Sequence, residues 1–169
     1  MGTATTQLLV APLTTLPVID RIAVDGNPTA INFPRAMKHD GLDFSFSGLK
    51  TSVINHVRKN PDVDTVDVAA SFQAAVVDIL CDKTIKAALQ CGAQGIVLGG
   101  GVSANSLLRA EMTRRGGEAG FKVALPSRMM CTDNAAMIAA AAWHRLAADG
   151  STPLTCGAFP NLKLSAVPR

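Results

Sequence analysis

Tyrosine is absent from this chain of 169 residues, and tryptophan occurs once, as Trp143. A surface on which single-stranded bases stack needs several exposed rings, so that mode of nucleic-acid binding is disfavoured. Charge is scarce too: 17% of residues are charged against 48% hydrophobic, which argues against disorder and for a buried core in one domain or a large piece of one. Long apolar runs are also missing. The longest, Ala135 to Trp143, is about half of the roughly 20 residues a bilayer helix needs, and alanine makes most of the positive mean hydropathy. No basic region followed by an apolar block marks a secretory signal. The four cysteines, Cys81, Cys91, Cys131 and Cys156, form no C-x-x-C pair and read as reduced, cytosolic thiols. His39, His56 and His144 lie far apart, with no partner at i+3 or i+4, so they spell no histidine metal cluster. There is no G-x-S-x-G elbow and no H-E-x-x-H helix. A net charge of +3 permits contact with nucleic acid without announcing it; Arg58, Lys59, Arg114, Arg115 and Arg128 read as a solvated surface.

What is present has an α/β grammar. Gln7 to Val10 suits a short strand, bracketed by the breaks at Pro12 and Pro17. A short amphipathic helix is expected over Val18–Val24, ended by the turn Asp25-Gly26-Asn27-Pro28. Asp43 to Ser47 alternates polar and apolar residues like a half-buried extended segment, and Leu49 to Lys59 reads as helix. A long helix follows from about Val66 to Gln90, with Asp62, Asp64 and Asp67 at its start and Lys83 and Lys86 near its end, both suiting the helix dipole. Its apolar residues cover more than one stripe, which predicts contact on two sides. Gly95 to Leu98 is a buried strand, Ser103 to Arg115 a helix stopped by Gly116-Gly117, and Lys122 to Pro126 the next parallel strand. Asp133 to about Ala148 forms the last helix.

Three places invite chemistry. In Cys131-Thr132-Asp133-Asn134-Ala135-Ala136-Met137, Asp133 stands at a helix start, where a carboxylate either caps free amides or holds a metal ion; capping is the commoner role. In Leu98-Gly99-Gly100-Gly101-Val102-Ser103-Ala104-Asn105, a strand enters a glycine loop and then a helix, an arrangement that lets backbone amides approach a nucleotide. Asn105, one turn into that helix, offers a donor and an acceptor suited to sugar hydroxyls. The plain alternative is a tight strand-to-helix turn; the pattern is neither G-x-G-x-x-G nor a P-loop. Ser47-Gly48-Leu49-Lys50-Thr51 lacks the leading glycine of a P-loop, so Ser47 is expected to cap its helix and Lys50 to be solvated.

Taken in order, Pro17-Val18-Ile19-Asp20-Arg21, Phe33-Pro34-Arg35, Asp43 to Thr51, Ala69-Ala70-Ser71-Phe72-Gln73, Leu98 to Asn105 with Leu107-Leu108-Arg109, and Cys131 to Ala139 resemble the C-terminal part of the TsaD family, formerly called glycoprotease or O-sialoglycoprotein endopeptidase. The resemblance implies an actin- and Hsp70-like fold (ASKHA, RNase H-like), helix-rich with a few parallel strands. It implies three parts: a divergent segment 1–16, a TsaD-like domain 17–148 and a tail 149–169. The implied reaction moves threonylcarbamoyl from threonylcarbamoyl-AMP onto the exocyclic amine of the adenine beside the anticodon, in tRNAs reading codons that begin with A. Asn105 and Asp20 then match adenylate contacts, with Gly100 and Gly101 counted beside them, and Asp133 matches a metal-ligating aspartate. One divalent ion, iron or zinc, and ATP with Mg²⁺ belong to the same picture. So do TsaB- and TsaE-type partners, a cytoplasmic location and dimerisation through exposed apolar surface.

The sequence also departs from the family. Its relatives are about twice as long, and their N-terminal half brings an H-x-x-x-H metal pair and the first nucleotide loop, neither of which is in this sequence. Ala4 to Leu9 is a weak match to a strand that follows a second lost loop, and the Pro-Gly-Gly-Pro turn survives only as Leu16-Pro17. A lone carboxylate is a poor transition-metal site, so transfer by this chain alone is not expected. A non-catalytic nucleotide-binding or scaffold subunit is the alternative. The metalloendopeptidase of the old family name is a third, with the missing paired histidines against it.

Overall fold

The computed structural model of the chain describes residues 16–38 and 41–157. The elements are α1 (Leu16–Ile22), α2 (Ser47–Lys59), α3 (Thr65–Cys91), β1 (Gly95–Val97), α4 (Ser106–Glu118), β2 (Lys122–Ala124) and α5 (Ala135–Asp149). Short 3-10 turns cover Ala23–Asp25, Gly101–Ala104 and Arg128–Cys131. Contacts divide the chain into one unit up to Thr132 and a second from Asp133 onward. The expected strand at Gln7–Val10, the match at Ala4–Leu9 and His39 lie outside the described residues. Among the described residues no helix is long and apolar enough to cross a membrane.

Helix α3 is the post of the first unit. Asp64 starts it by accepting the Val66 N–H at 3.0 Å, and Gly92 ends it. The expected two-sided burial is present, because three apolar clusters each take residues from this helix. Val68, Ala75 and Val76 pack with Phe33, Leu49 and Val53; Val77, Cys81 and Ala88 with Ile96, Leu108 and Met112; Ala69 and Ala70 with Ile19 and Ala23. Alanines on the third side let α1 lie close. Helix α3 ends where expected, at Cys91, but Lys83 stands about two turns short of that end and no basic residue lies in the last turn. Lys83 is 2% exposed, donates to the Gly41 carbonyl at 3.3 Å and places its ammonium 5.9 Å from the centre of the Phe44 ring.

The α/β reading holds in its coarse form. β1 and β2 pair in parallel, with Ile96 opposite Val123, and α4 is the crossover between them. Gly116 and Gly117 do not stop α4, which continues to Glu118. Gly116 is a packing residue instead: a Cβ there would stand 2.6 Å from Val123 Cγ2, so its absence lets the helix settle on the sheet. Asp43 to Ser47 makes no strand; Phe44 is about half exposed and stacks on Phe46 with ring centres 6.3 Å apart. Ser47 sits inside α2 and gives no capping bond, the cap position falling on Phe46, while Lys50 is exposed as expected. A local cap signal loses here because α2 is held from its other side, by buried Leu49 and Val53.

Arg115, read from sequence as a solvated cation, is instead the centre of an ion-pair network between α3 and α4. Its guanidinium lies 2.6 Å from Asp78, 3.1 Å from Asp82 and 2.7 Å from Glu111, while Arg35 takes the other oxygen of Asp78 at 3.0 Å. Burial pushes the Asp78 carboxyl up, but hydrogen bonds from Arg115 and Arg35 outweigh it and hold that carboxyl below its usual range. Hydrogen bonds from Arg114 and Arg115 likewise lower Glu111. A depressed carboxylate contributes stability that is complete above its unfolded pKa and is lost as pH falls through the folded one. Urea unfolding should therefore show stability dropping below about pH 4, and Asp78→Asn should flatten that drop. An unchanged acid slope in the variant would contradict the assignment. Within the same layer, burial pushes the Cys81 thiol up to about 11, so it behaves as an apolar core group. All four cysteines are free.

Candidate functional site

Strand β1 delivers the chain into Gly99-Gly100-Gly101. Gly100 adopts φ 78° and ψ 172°, a region essentially closed to side chains, so this turn requires glycine. The Ser103 hydroxyl donates to the Gly100 carbonyl at 2.7 Å and tightens the following 3-10 turn. Asn105 is then the N-cap of α4, not a residue one turn inside it. Its Oδ1 accepts the Leu108 N–H at 2.9 Å, and its Nδ2 donates to Gln73 Oε1 at 2.9 Å. With 4% exposure, the amide expected to face a sugar is committed to the helix start and to α3.

Asp20 comes from α1, far away in sequence, to the same helix start. Both carboxylate oxygens accept the Ser106 N–H at 3.0 Å, and Oδ2 also accepts the Ser106 hydroxyl at 2.7 Å. Arg128 donates from Nη2 to that hydroxyl oxygen at 3.0 Å. Arg109 fixes the geometry from behind, donating to the carbonyls of Ser103 at 3.0 Å and Pro126 at 2.8 Å, and so ties the loop after β2 to the loop after β1. These residues frame a cleft of about 330 Å³ whose walls include Asp20, Arg21, Gly101, Asn105, Ser106 and Arg128.

The structure thus gathers Asp20, Gly101 and Asn105 in one cleft, with Gly100 shaping the turn beside it. Gln73, Ser106 and Arg128 were missed as site residues. Gln73 stands in a motif already singled out, whereas nothing local to Arg128 marks a partner 22 positions earlier. In the second unit Asp133 is exposed and does not cap α5. Asn134 occupies the cap position, its Oδ1 accepting the Met137 N–H at 3.1 Å. Asn and Asp compete for this role, and the residue whose backbone immediately precedes the helix wins. Among the described residues no three His, Cys, Asp or Glu side chains gather to hold an ion. The donor set around Asp133 therefore does not fit a metal site by itself.

The family described as tRNA N6-adenosine threonylcarbamoyltransferase, TsaD, matches residues 3–140. A protein of that name from Moorella thermoacetica is 49% identical over 154 residues, covering 88% of this chain and 45% of the relative. Proteins of the same name from Clostridium perfringens and Clostridium botulinum are 46% and 47% identical over 153 residues, with the same coverage. The chain spans about half the length of the curated relatives it matches. A glycine loop in register with the cleft residues, a match over most of the chain and identity near one half in several organisms leave one conclusion: the chain belongs to the TsaD family.

Proposed function

We propose that this chain supplies the adenylate-holding part of a threonylcarbamoyl transferase acting on tRNA. The observation that carries the reading is the convergence of Asp20, Gly101 and Asn105 on one cleft at the start of α4. In this reading Gly100 and Gly101 leave the backbone open to the nucleotide, and Asp20 meets a sugar hydroxyl at the cleft's edge. Asn105 forms the floor beneath the adenylate and keeps α4 in register through Leu108 and Gln73. The adenine amine of tRNA attacks the carbamoyl carbon, the bond from that carbon to the phosphate oxygen breaks, and AMP leaves with the electron pair as the amine loses a proton. The cleft contributes by holding AMP's nucleoside so that this bond is exposed to the amine, which is catalysis by orientation. Asp133, whose surroundings do not make a metal site, carries no step.

The larger architecture in this reading is the actin- and Hsp70-like fold. TsaB- and TsaE-type proteins are the proposed partners. Second copies of the chain are an alternative cover for α5, which buries no residue and leaves Ile138 70% and Trp143 71% exposed.

Thermal unfolding with a stable threonylcarbamoyl-adenylate analogue tests the cleft. At about 100 times the dissociation constant the ligand should add roughly 2.7 kcal/mol, a rise of several degrees. Asp20→Asn, which keeps an oxygen for the Ser106 N–H, should shrink that rise. No rise in the wild-type chain would sink the cleft reading, and an undiminished rise in the variant would remove Asp20 from it.

A further inference from the structure

We infer that Arg128 is the phosphate contact of this cleft, a role that rests on the adenylate reading above. Arg128 spends one of a guanidinium's five N–H donors on a neutral hydroxyl, Ser106 Oγ, at 3.0 Å. Neither it nor Arg21, on the same wall, forms an ion pair among the described residues. The cleft's one carboxylate, Asp20, is already taken by the Ser106 N–H and hydroxyl. Two arginines against one satisfied carboxylate leave the cleft positive, and a planar guanidinium with unspent donors suits a phosphate.

The placement of Arg128 is built. It opens the 3-10 turn Arg128–Cys131, the Cys131 thiol donates to the Ser127 carbonyl at 3.4 Å, and Arg109 pins Pro126 just upstream. That bracing holds the guanidinium over Ser106 without burying it, so its substitution leaves the core untouched. The Ser106 hydroxyl passes the orientation on, accepting from Arg128 while donating to Asp20 at 2.7 Å. The proposed sugar contact and phosphate contact are thereby joined through one hydroxyl.

Calorimetric titration of the full chain with AMP and with adenosine tests this, alongside Arg128→Gln and Arg128→Lys. The wild-type chain should prefer AMP by about tenfold or more, the scale of one charge-assisted contact. Arg128→Gln should erase the preference while leaving adenosine affinity in place, and Arg128→Lys should restore part of it. Melting curves superimposable with the wild type would exclude misfolding as the cause. An unchanged preference in Arg128→Gln, an equal loss of both ligands, or a wild-type chain indifferent to the phosphate would each overturn the assignment. A wild-type chain that binds neither compound would instead bring down the adenylate reading itself, and this inference with it.

Discussion

Replacing Asn105 by alanine is expected to lower the unfolding free energy by about 2–4 kcal/mol, a large share of a domain's margin. Two losses combine. The N-cap bond to the Leu108 N–H disappears, costing about 1 kcal/mol. Gln73 Oε1, buried beside it, loses its donor, and an unsatisfied buried acceptor costs about 1–3 kcal/mol. Asn105→Asp separates the two, because an aspartate still caps the helix and faces Gln73 with acceptors only. Its penalty should be smaller if the Gln73 amide turns to donate. Urea midpoints of both variants, with m-values held in view, provide the measurement. Equal, negligible losses would mean that the Asn105–Gln73 bond does not hold α4 to α3. The expected destabilisation makes Asn105→Ala a poor probe of ligand binding, since lost affinity and lost folding would coincide; Asp20 and Arg128, both at the cleft's edge, report more cleanly.

Phe33→Ala should cost about 3–5 kcal/mol, the range for deleting a buried ring. Phe33 is 1% exposed although it lies in an irregular segment, and it packs with Leu49 and Val53 of α2 and Val68, Ala75 and Val76 of α3. Its ring meets His56 edge-on, centroids 5.7 Å apart, and Arg35 returns from two residues later to hold the Phe33 carbonyl at 2.8 Å. Removing the ring empties the meeting point of two helices and a loop that also anchors the Asp78 ion pair through Arg35. Phe33→Leu, which keeps most of the volume, should cost well under half as much. A loss under about 1 kcal/mol for alanine would show that the loop closes over the gap.

Local chemistry explains how far the chain could be read directly. The ends of α3 were visible in Asp64 and in Cys91-Gly92, because a capping acid and a helix-ending glycine act within one turn. Both strands were visible as short apolar runs between glycines and a proline, but β1, expected to be buried, buries only Ile96 and leaves Val97 78% exposed. The readings that failed were those in which a neighbour outvotes a local preference. Gly116 looked like a stop and is a contact surface for Val123. Ser47 looked like a cap and is the first turn of a helix held by its buried face. Arg115 looked solvated and is surrounded by Asp78, Asp82 and Glu111, two of them from another helix.

The candidate site divides the same way. From its residues alone the chain could nominate Gly100, Gly101, Asn105 and Asp133, since a glycine loop and polar residues at helix starts stand out against an alanine-rich background; Asp20 entered only through the resemblance to the TsaD family. The sequence could not say that Asp20 and Ser106 meet across 86 positions, that Gln73 engages the Asn105 amide, or that Arg128 reaches the same hydroxyl. Those pairings depend on α1, α3 and the loop after β2 packing around the start of α4. Periodicity and caps set the elements and their order because they are one-dimensional properties of the chain. The cleft was decided only by tertiary structure, because its polar partners are chosen by which surfaces the apolar clusters bring together.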